Sequence, residues 1–246
     1  MRILLILLLL AGSFFSYAQK VRIAAAADLR YAMDEVVAAY KTGNPQAILE
    51  VIYGSSGNAF TQISNGAPYD LFFSADVIYP QKLHEAGFTI HEPVLYAIGR
   101  IVLWSASVDV SKGISVLSEY PKARIAIANP SHAPYGLRAE ETLRHYGVFD
   151  GVKPRLIYGE NISQAAQFCL TGNAQFGIIA LSLALSPNMQ SKGSYFLIDD
   201  VTHKPLQQSF VILNRAKDNS LALTFAEFVS SPQAIKIFKK YGFVCN

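Results

Sequence analysis

The segment AAAADLRYAM, residues 24–33, constrains the fold of this chain more than any other segment. Its run of small apolar residues is typical of a buried strand, and the strand ends at Asp28. A helical pattern begins at once, with Leu29, Met33 and Val36 on one face. Asp28 is a residue type able to cap that helix, whose first backbone N–H groups then point outward. Such a junction predicts an anion-binding site that needs no charged side chain.

The same arrangement recurs, and the chain is organised as two similar halves. In the first half, GSS at 54–56 opens a helix that precedes an apolar strand at 71–73. In the second half, GEN at 159–161 opens a helix that precedes a strand at 176–180. Strands alternating with helices of this length predict a doubly wound, mostly parallel α/β architecture.

Four strand–helix junctions follow from this organisation, two in each half. They lie at Asp28, at residues 55–56, at residues 134–136 and at residues 161–162. Ligands of open α/β sheets bind beyond the carboxyl ends of the strands. Two facing halves would therefore form a cleft ringed by helix N-termini, and such a cleft suits a small anion.

Composition argues against several other classes of function. The chain has 21 Lys and Arg residues against 18 Asp and Glu, and no basic run interleaved with aromatic residues. We therefore expect no nucleic acid partner and no binding to a membrane surface. The five histidines show no metal-ligand spacing. An exported protein could join Cys169 to Cys245, but we expect a buried Cys169 and a free thiol at Cys245.

The N-terminus predicts export. Arg2 supplies a positive n-region, residues 3–11 form an apolar h-region, and Ser16-Tyr17-Ala18 fits a signal-peptidase site. We expect cleavage after Ala18 and a periplasmic mature chain of residues 19–246. The alternative is an N-terminal membrane anchor, for which the apolar region is too short.

Five motifs give the chain a specific resemblance. They are AAADLRYAM at 25–33, GSSGNAFTQISNGAPYDLFFSAD at 54–76, ANPSHAPYGLRAEETL at 128–143, FGII at 176–179 and SPQAIKIFKKYGF at 231–243. Across nearly all of the mature chain, the sequence resembles the periplasmic molybdate-binding proteins of ABC transporters. The resemblance implies a type II periplasmic-binding-protein fold, in which two α/β lobes joined by a two-segment hinge close on a tetrahedral oxyanion.

The resemblance also implies ligand residues, position by position. The family's serine in its GSSG-like loop aligns with Ser56, which would donate hydroxyl and amide hydrogens. Backbone donors of the second lobe align with Tyr135 and Ile162, and a family serine aligns with Asp28. Asp28, Ser56, Tyr135 and Ile162 are thus predicted to bind the oxyanion, with no side chain ligating the metal atom directly.

Two positions depart from the family pattern. Asp28 replaces the serine, and Ala180 replaces a tyrosine that donates a hydroxyl, so we expect the Tyr135 hydroxyl to act instead. A carboxylate beside a dianion in a cleft of low dielectric is unfavourable. Two interpretations of Asp28 remain open. Either its side chain caps its own helix while its amide faces the ligand, or it accepts a proton from an anion such as hydrogen phosphate.

The resemblance predicts a solute-binding protein that captures molybdate, and also tungstate, for an ABC permease and its ATPase. We expect a monomer without a cofactor, with lobe 1 formed by residues 19–98 and 208–246 and lobe 2 by residues 99–207. The alternatives are a sulfate or phosphate binder and a sensor-coupled binding protein. No enzyme is predicted, because the sequence lacks a G-x-S-x-G turn and nothing orients a base toward Ser56.

Overall fold

A computed structural model describes residues 20–245 of the chain. The predicted signal peptide and its cleavage site lie outside the described residues. The strands are β1 (Lys20–Ala26), β2 (Ile48–Gly54), β3 (Leu71–Ser74), β4 (Val94–Gly99), β5 (Ile101–Ser105), β6 (Ile125–Ala128), β7 (Leu156–Gly159), β8 (Phe176–Ala180), β9 (Ser194–Leu197) and β10 (Leu206–Ile212). The α-helices are α1 (Arg30–Gly43), α2 (Ser56–Ser64), α3 (Ile78–Glu85), α4 (Val116–Glu119), α5 (Pro134–His145), α6 (Phe149–Val152), α7 (Ile162–Leu170), α8 (Leu181–Ala184), α9 (Ser220–Val229) and α10 (Pro232–Lys240).

The strands form two five-stranded sheets of matching topology. The first has the order β2-β1-β3-β10-β4 and the second the order β7-β6-β8-β5-β9. In the first sheet β1 is parallel to β2 and β3, and β10 is antiparallel to β3 and β4. In the second sheet β6 is parallel to β7 and β8, and β5 is antiparallel to β8 and β9. The predicted doubly wound α/β fold is therefore confirmed.

The sheets are more mixed than the sequence pattern predicted, since each contains two parallel and two antiparallel pairs. The reason lies in how β5 and β10 enter. Each arrives directly from the other sheet and not through a helical crossover of its own sheet. The constraint that makes βαβ neighbours parallel therefore does not apply to them.

The chain passes between the sheets twice. Arg100 separates β4 from β5, and residues 198–205 connect β9 to β10. The Arg100 Nε atom lies 2.7 Å from an Asp200 carboxylate oxygen, so an ion pair joins the two crossing segments. No helix within residues 20–245 is long and apolar enough to cross a membrane.

The core positions the site. β6 and β8 are buried along their whole length, as expected for central strands covered on both faces. Ala26, Ala27 and Ala75 of the first half belong to the same apolar cluster as the core of the second half. The two halves are thus in contact where β1 and β3 end.

Cys169 and Cys245 are both buried and form no disulfide.

Candidate functional site

All four predicted site residues line one cavity between the two sheets. Asp28 follows β1, Ser56 opens α2, Tyr135 lies in the first turn of α5, and Ile162 opens α7. The other lining residues are small or apolar: Ala26, Ala27, Gly54, Ser55, Ala75, Ala133 and Pro134. Among these described lining residues, Asp28 alone has an ionisable acidic side chain.

The cavity is small. Its empty volume, counted together with the open solvent at its mouth, is about 190 Å³. The alanines and glycine of the wall provide this space, and the starts of three helices border it. Only a ligand of a few heavy atoms fits.

The backbone supplies donors to this cavity. The first N–H groups of a helix have no partner within the helix, and the helix dipole makes them favourable for an anion. Within residues 20–245, no acceptor is paired with the backbone N–H of Ser56, Tyr135 or Ile162. The Asn161 side chain caps α7 by accepting from the N–H of Gln164 at 3.1 Å. This cap leaves the Ile162 N–H available.

Ser56 adds a hydroxyl donor. Its Oγ atom accepts a hydrogen bond from the backbone N–H of Ala75 at 3.0 Å, and the residue is buried. A hydroxyl has one hydrogen and two acceptor lone pairs. Because Ala75 occupies a lone pair, the hydroxyl hydrogen stays available for a ligand in the cavity.

The Asp28 carboxylate faces other side chains and does not cap the following helix. Its Oδ2 atom accepts from the Tyr135 hydroxyl at 3.0 Å and from Gln208 Nε2 at 2.5 Å. The capping interpretation is therefore wrong. A 3₁₀ turn at Ala27–Leu29 separates β1 from α1, and Leu29 is the residue at the N-cap of α1.

Burial dominates the electrostatics of Asp28. Desolvation raises the pKa of this carboxyl to about 6, against hydrogen bonds from Gln208, Tyr135 and its own backbone that lower it. Its Oδ1 atom is buried and accepts no hydrogen bond from any other described residue. Asp28, a lining residue of the cavity, thus has one carboxylate oxygen whose acceptor capacity is unused.

The structure corrects the role expected of the Tyr135 hydroxyl. This hydroxyl donates to Asp28 and accepts from Gln208 Nε2 at 3.1 Å. In this structure its single hydrogen is therefore directed at Asp28 and not into the position expected of the donor missing at Ala180. Burial and the Asp28 charge raise the pKa of Tyr135 well above its ordinary value, so the phenol remains a donor.

Sequence reasoning missed Gln208 and the contacts of His132. Gln208 is fully buried in β10, and nothing in its local pattern sets it apart from other strand residues. His132 lies in the loop before α5, where its Nδ1 atom is 2.9 Å from Ser55 Oγ. Its carbonyl accepts from the Gly57 N–H at 2.9 Å. His132 therefore joins the two halves of the molecule beside the cavity.

Comparison with known proteins identifies the family to which the chain belongs. A family model for the bacterial extracellular solute-binding proteins matches residues 21–244. Molybdate-binding protein ModA of Azotobacter vinelandii is 33% identical over 228 residues, which cover 92% of this chain and 90% of that protein. ModA of Rhodobacter capsulatus is 35% identical over 193 residues, or 78% and 75% of the two chains. The solved periplasmic molybdate-binding protein of A. vinelandii aligns with a TM-score of 0.86 at 30% identity, covering 92% of this chain and 100% of that one.

Proposed function

Because this chain belongs to the bacterial extracellular solute-binding proteins, we propose that it captures molybdate outside the cytoplasm and delivers it to an ABC transporter. Its relatives are binding proteins and not enzymes. The observation that carries the proposal is the convergence of helix N-termini from both sheets on one small cavity.

The donor set suits a fully deprotonated oxyanion. The backbone N–H groups of Ser56, Tyr135 and Ile162, together with the Ser56 hydroxyl, would bind the oxygens of the anion. Selectivity would come from size, since a rigid ring of donors loses contact with the smaller sulfate. Molybdate and tungstate have nearly equal radii, so we propose that tungstate binds as well. No cofactor takes part.

We further propose that capture closes two lobes. Lobe 1 comprises the predicted residues 19–98 and 208–246 together with Gly99, Leu206 and Gln207, which lie in strands of the first sheet. Lobe 2 comprises the rest of the predicted residues 99–207, with Arg100 and residues 198–205 as the hinge. The hydrogen bond from the Gly57 N–H to the His132 carbonyl supports this, since it joins the halves beside the cavity. Ligand binding shifts the population toward the closed form, and the closed monomer engages the permease, whose ATPase drives transport.

The route to the site of action is proposed from the N-terminal sequence. Arg2, the apolar residues 3–11 and the Ser16-Tyr17-Ala18 motif support export with cleavage after Ala18. The mature protein would then work in the periplasm. Amino-terminal sequencing of the exported protein tests this, and a start at Gln19 is the expected result.

The cargo is tested by calorimetric titration of residues 19–246 with molybdate, tungstate, sulfate and phosphate in turn. We expect one molybdate per chain, similar affinity for tungstate, and molybdate binding that excess sulfate does not displace. Preference for sulfate or phosphate would identify a binder of another oxyanion. Absence of binding by folded protein for all four anions would contradict the proposal.

A further inference from the structure

The two oxygens of the Asp28 carboxylate have different surroundings. Oδ2 accepts two hydrogen bonds, whereas Oδ1 is buried and accepts none from any other described residue. Asp28 also lines the cavity, together with the unpaired backbone N–H groups and the Ser56 hydroxyl described above. Buried polar atoms are nearly always hydrogen-bonded, so an unpaired carboxylate oxygen at a proposed anion site calls for a role.

We propose that Asp28 carries a proton on Oδ1 when the cavity holds molybdate, and that this O–H donates a hydrogen bond to the anion. One proton is then bound together with each molybdate. The inference rests on the proposed function and adds a specificity-determining residue to it. Protonation turns the single acidic group of the wall into a further donor.

The hydrogen-bond network determines which oxygen takes the proton. The Tyr96 hydroxyl donates to Gln208 Oε1 at 2.7 Å, which turns the Gln208 amide hydrogens toward Asp28. Gln208 and Tyr135 then both donate to Oδ2. Donors stabilise an oxygen that carries no proton. Oδ2 therefore stays an acceptor in both states, and the proton goes to Oδ1.

Among the described residues, no cation is paired with the Asp28 carboxylate or contributes to its pKa. The titratable groups that face it are the phenols of Tyr135 and Tyr96, and burial raises the pKa of both well above the ordinary value. The elements in contact with the Asp28 turn are α1, α7, α8 and β2, and none of them provides a cation for Asp28. Arg30 of α1 stacks on the Tyr53 ring. Glu50 of β2 pairs with Lys20. On α5, Arg138 pairs with Glu141.

The α7 and α8 helices carry no charged residue. Cys169 of α7 is neutral at physiological pH, because burial raises the pKa of its thiol to about 12. The cost of protonating Asp28 is small by comparison with a charge clash. For a carboxyl whose pKa is about 6, protonation at pH 7 lowers affinity by about tenfold.

The test is calorimetric titration of the mature protein with sodium molybdate between pH 6 and pH 8.5, in two buffers of different ionisation enthalpy. For the wild type we expect uptake of about one proton per molybdate above pH 7, and about tenfold loss of affinity per pH unit. In Asp28→Asn, the amide oxygen still accepts from Tyr135 and Gln208 while the NH₂ group donates to the anion. This variant should show no proton uptake and less than about twofold change with pH.

Asp76→Asn is the matched control. Asp76 is also buried with a pKa raised by desolvation, but it does not line the cavity. Its variant should keep the wild-type pH profile. Wild-type binding that is independent of pH, or a pH slope that persists in Asp28→Asn, overturns the inference and leaves the proposed function intact.

The experiment distinguishes failure of the proposed molybdate binding from failure of the inference about Asp28. If folded wild-type protein does not bind molybdate at pH 6, the proposed function itself is wrong. If Asp28→Asn does not fold, the wild-type proton count decides alone, since uptake near one supports the inference and uptake near zero overturns it.

Discussion

Two strand–helix junctions of the first sheet reach the same cavity with opposite chemistry. At the end of β2, Ser56 presents a neutral hydroxyl whose hydrogen is available, because Ala75 occupies its lone pair. At the end of β1, Asp28 presents a carboxylate with one oxygen unpaired. Both junctions border the site, the first through the start of α2 and the second through the 3₁₀ turn that precedes α1. Whether such a junction attracts an anion therefore depends on the protonation state of the side chain that it presents to the cavity, as well as on the backbone.

Magnitudes favour protonation over coexistence of the two charges. At an effective dielectric constant of about 20, like unit charges 4 Å apart repel by about 4 kcal/mol, and a dianion doubles this. Protonating a carboxyl whose pKa is about 6 costs about 1.4 kcal/mol at pH 7. Protonation of Asp28 therefore costs less free energy than charge repulsion, and it makes Asp28 a neutral O–H donor like Ser56.

The largest effect is expected from making both junctions acidic. Ser56→Asp adds a second carboxylate to the cavity wall, beside the proposed anion. Molybdate binding at pH 7.5 should fall by more than about a thousandfold, since about 4 kcal/mol or more of repulsion is added. Ser56→Asn, similar in shape and neutral, is the control and should retain measurable binding. Calorimetry on both variants checks this, and equal affinities would contradict it.

The next effect concerns stability without ligand. Because the pKa of Asp28 is raised from 3.8 to about 6, its contribution to folding is present below pH 3.8 and is lost as the pH rises through about 6. We compare the free energy of unfolding of Asp28→Asn with that of the wild type at each pH. This difference should be about 2–3 kcal/mol more favourable to the variant at pH 7.5 than at pH 3.8. Urea unfolding at both pH values measures this. A difference that does not change with pH would show that Asp28 is not desolvated.

Closure of the Ser56 junction against the second half depends on Gly57. A Cβ atom at this position would lie 2.7 Å from the His132 carbonyl oxygen, which is backbone and cannot move aside alone. Gly57→Ala should weaken molybdate binding by about 1–3 kcal/mol, because the halves no longer meet. Gly43→Ala is the control, since no atom lies within 4 Å of its added Cβ. Equal affinity of the two variants would exclude closure at this contact.

The smallest effect is expected from removing the Tyr135 hydroxyl, which donates to Asp28. Tyr135→Phe removes one hydrogen bond that lowers the pKa of Asp28. The pH at which molybdate affinity begins to fall should therefore move upward, with a change of less than about 1 kcal/mol in affinity at pH 6. Titration over the same pH range checks this. A loss of 1.5–3 kcal/mol at pH 6 would instead indicate that the hydroxyl contacts the anion directly.

Local signals in the sequence predicted much of the architecture. The helix Ile162–Leu170 and the strand Phe176–Ala180 lie where the pattern placed them, because Asn161 caps the helix and Gly172, with a φ of 77°, ends it. The mixed strand directions were not predictable in this way. The directions of β5 and β10 follow from the fact that the preceding strand of each lies in the other sheet. No local sequence pattern shows this.

The site was predictable only in part, for a physical reason. The junctions that form the wall depend on nearby residues and could be found from the sequence. The environment of Asp28 depends on Tyr135 and Gln208, which are 107 and 180 residues away. A 3₁₀ turn of three residues also moved Asp28 off the helix cap. Propensity alone would have kept it there, and tertiary contacts decided otherwise.

The central claim is that helix starts from both sheets hold one molybdate between them. A crystal structure of the protein grown with molybdate, with the metal located by its anomalous scattering, tests this most directly. We predict one peak in the cavity, with molybdate oxygens about 2.7–3.2 Å from the backbone nitrogens of Ser56, Tyr135 and Ile162. A peak outside the cavity, or contacts to residues of one sheet only, would contradict the account.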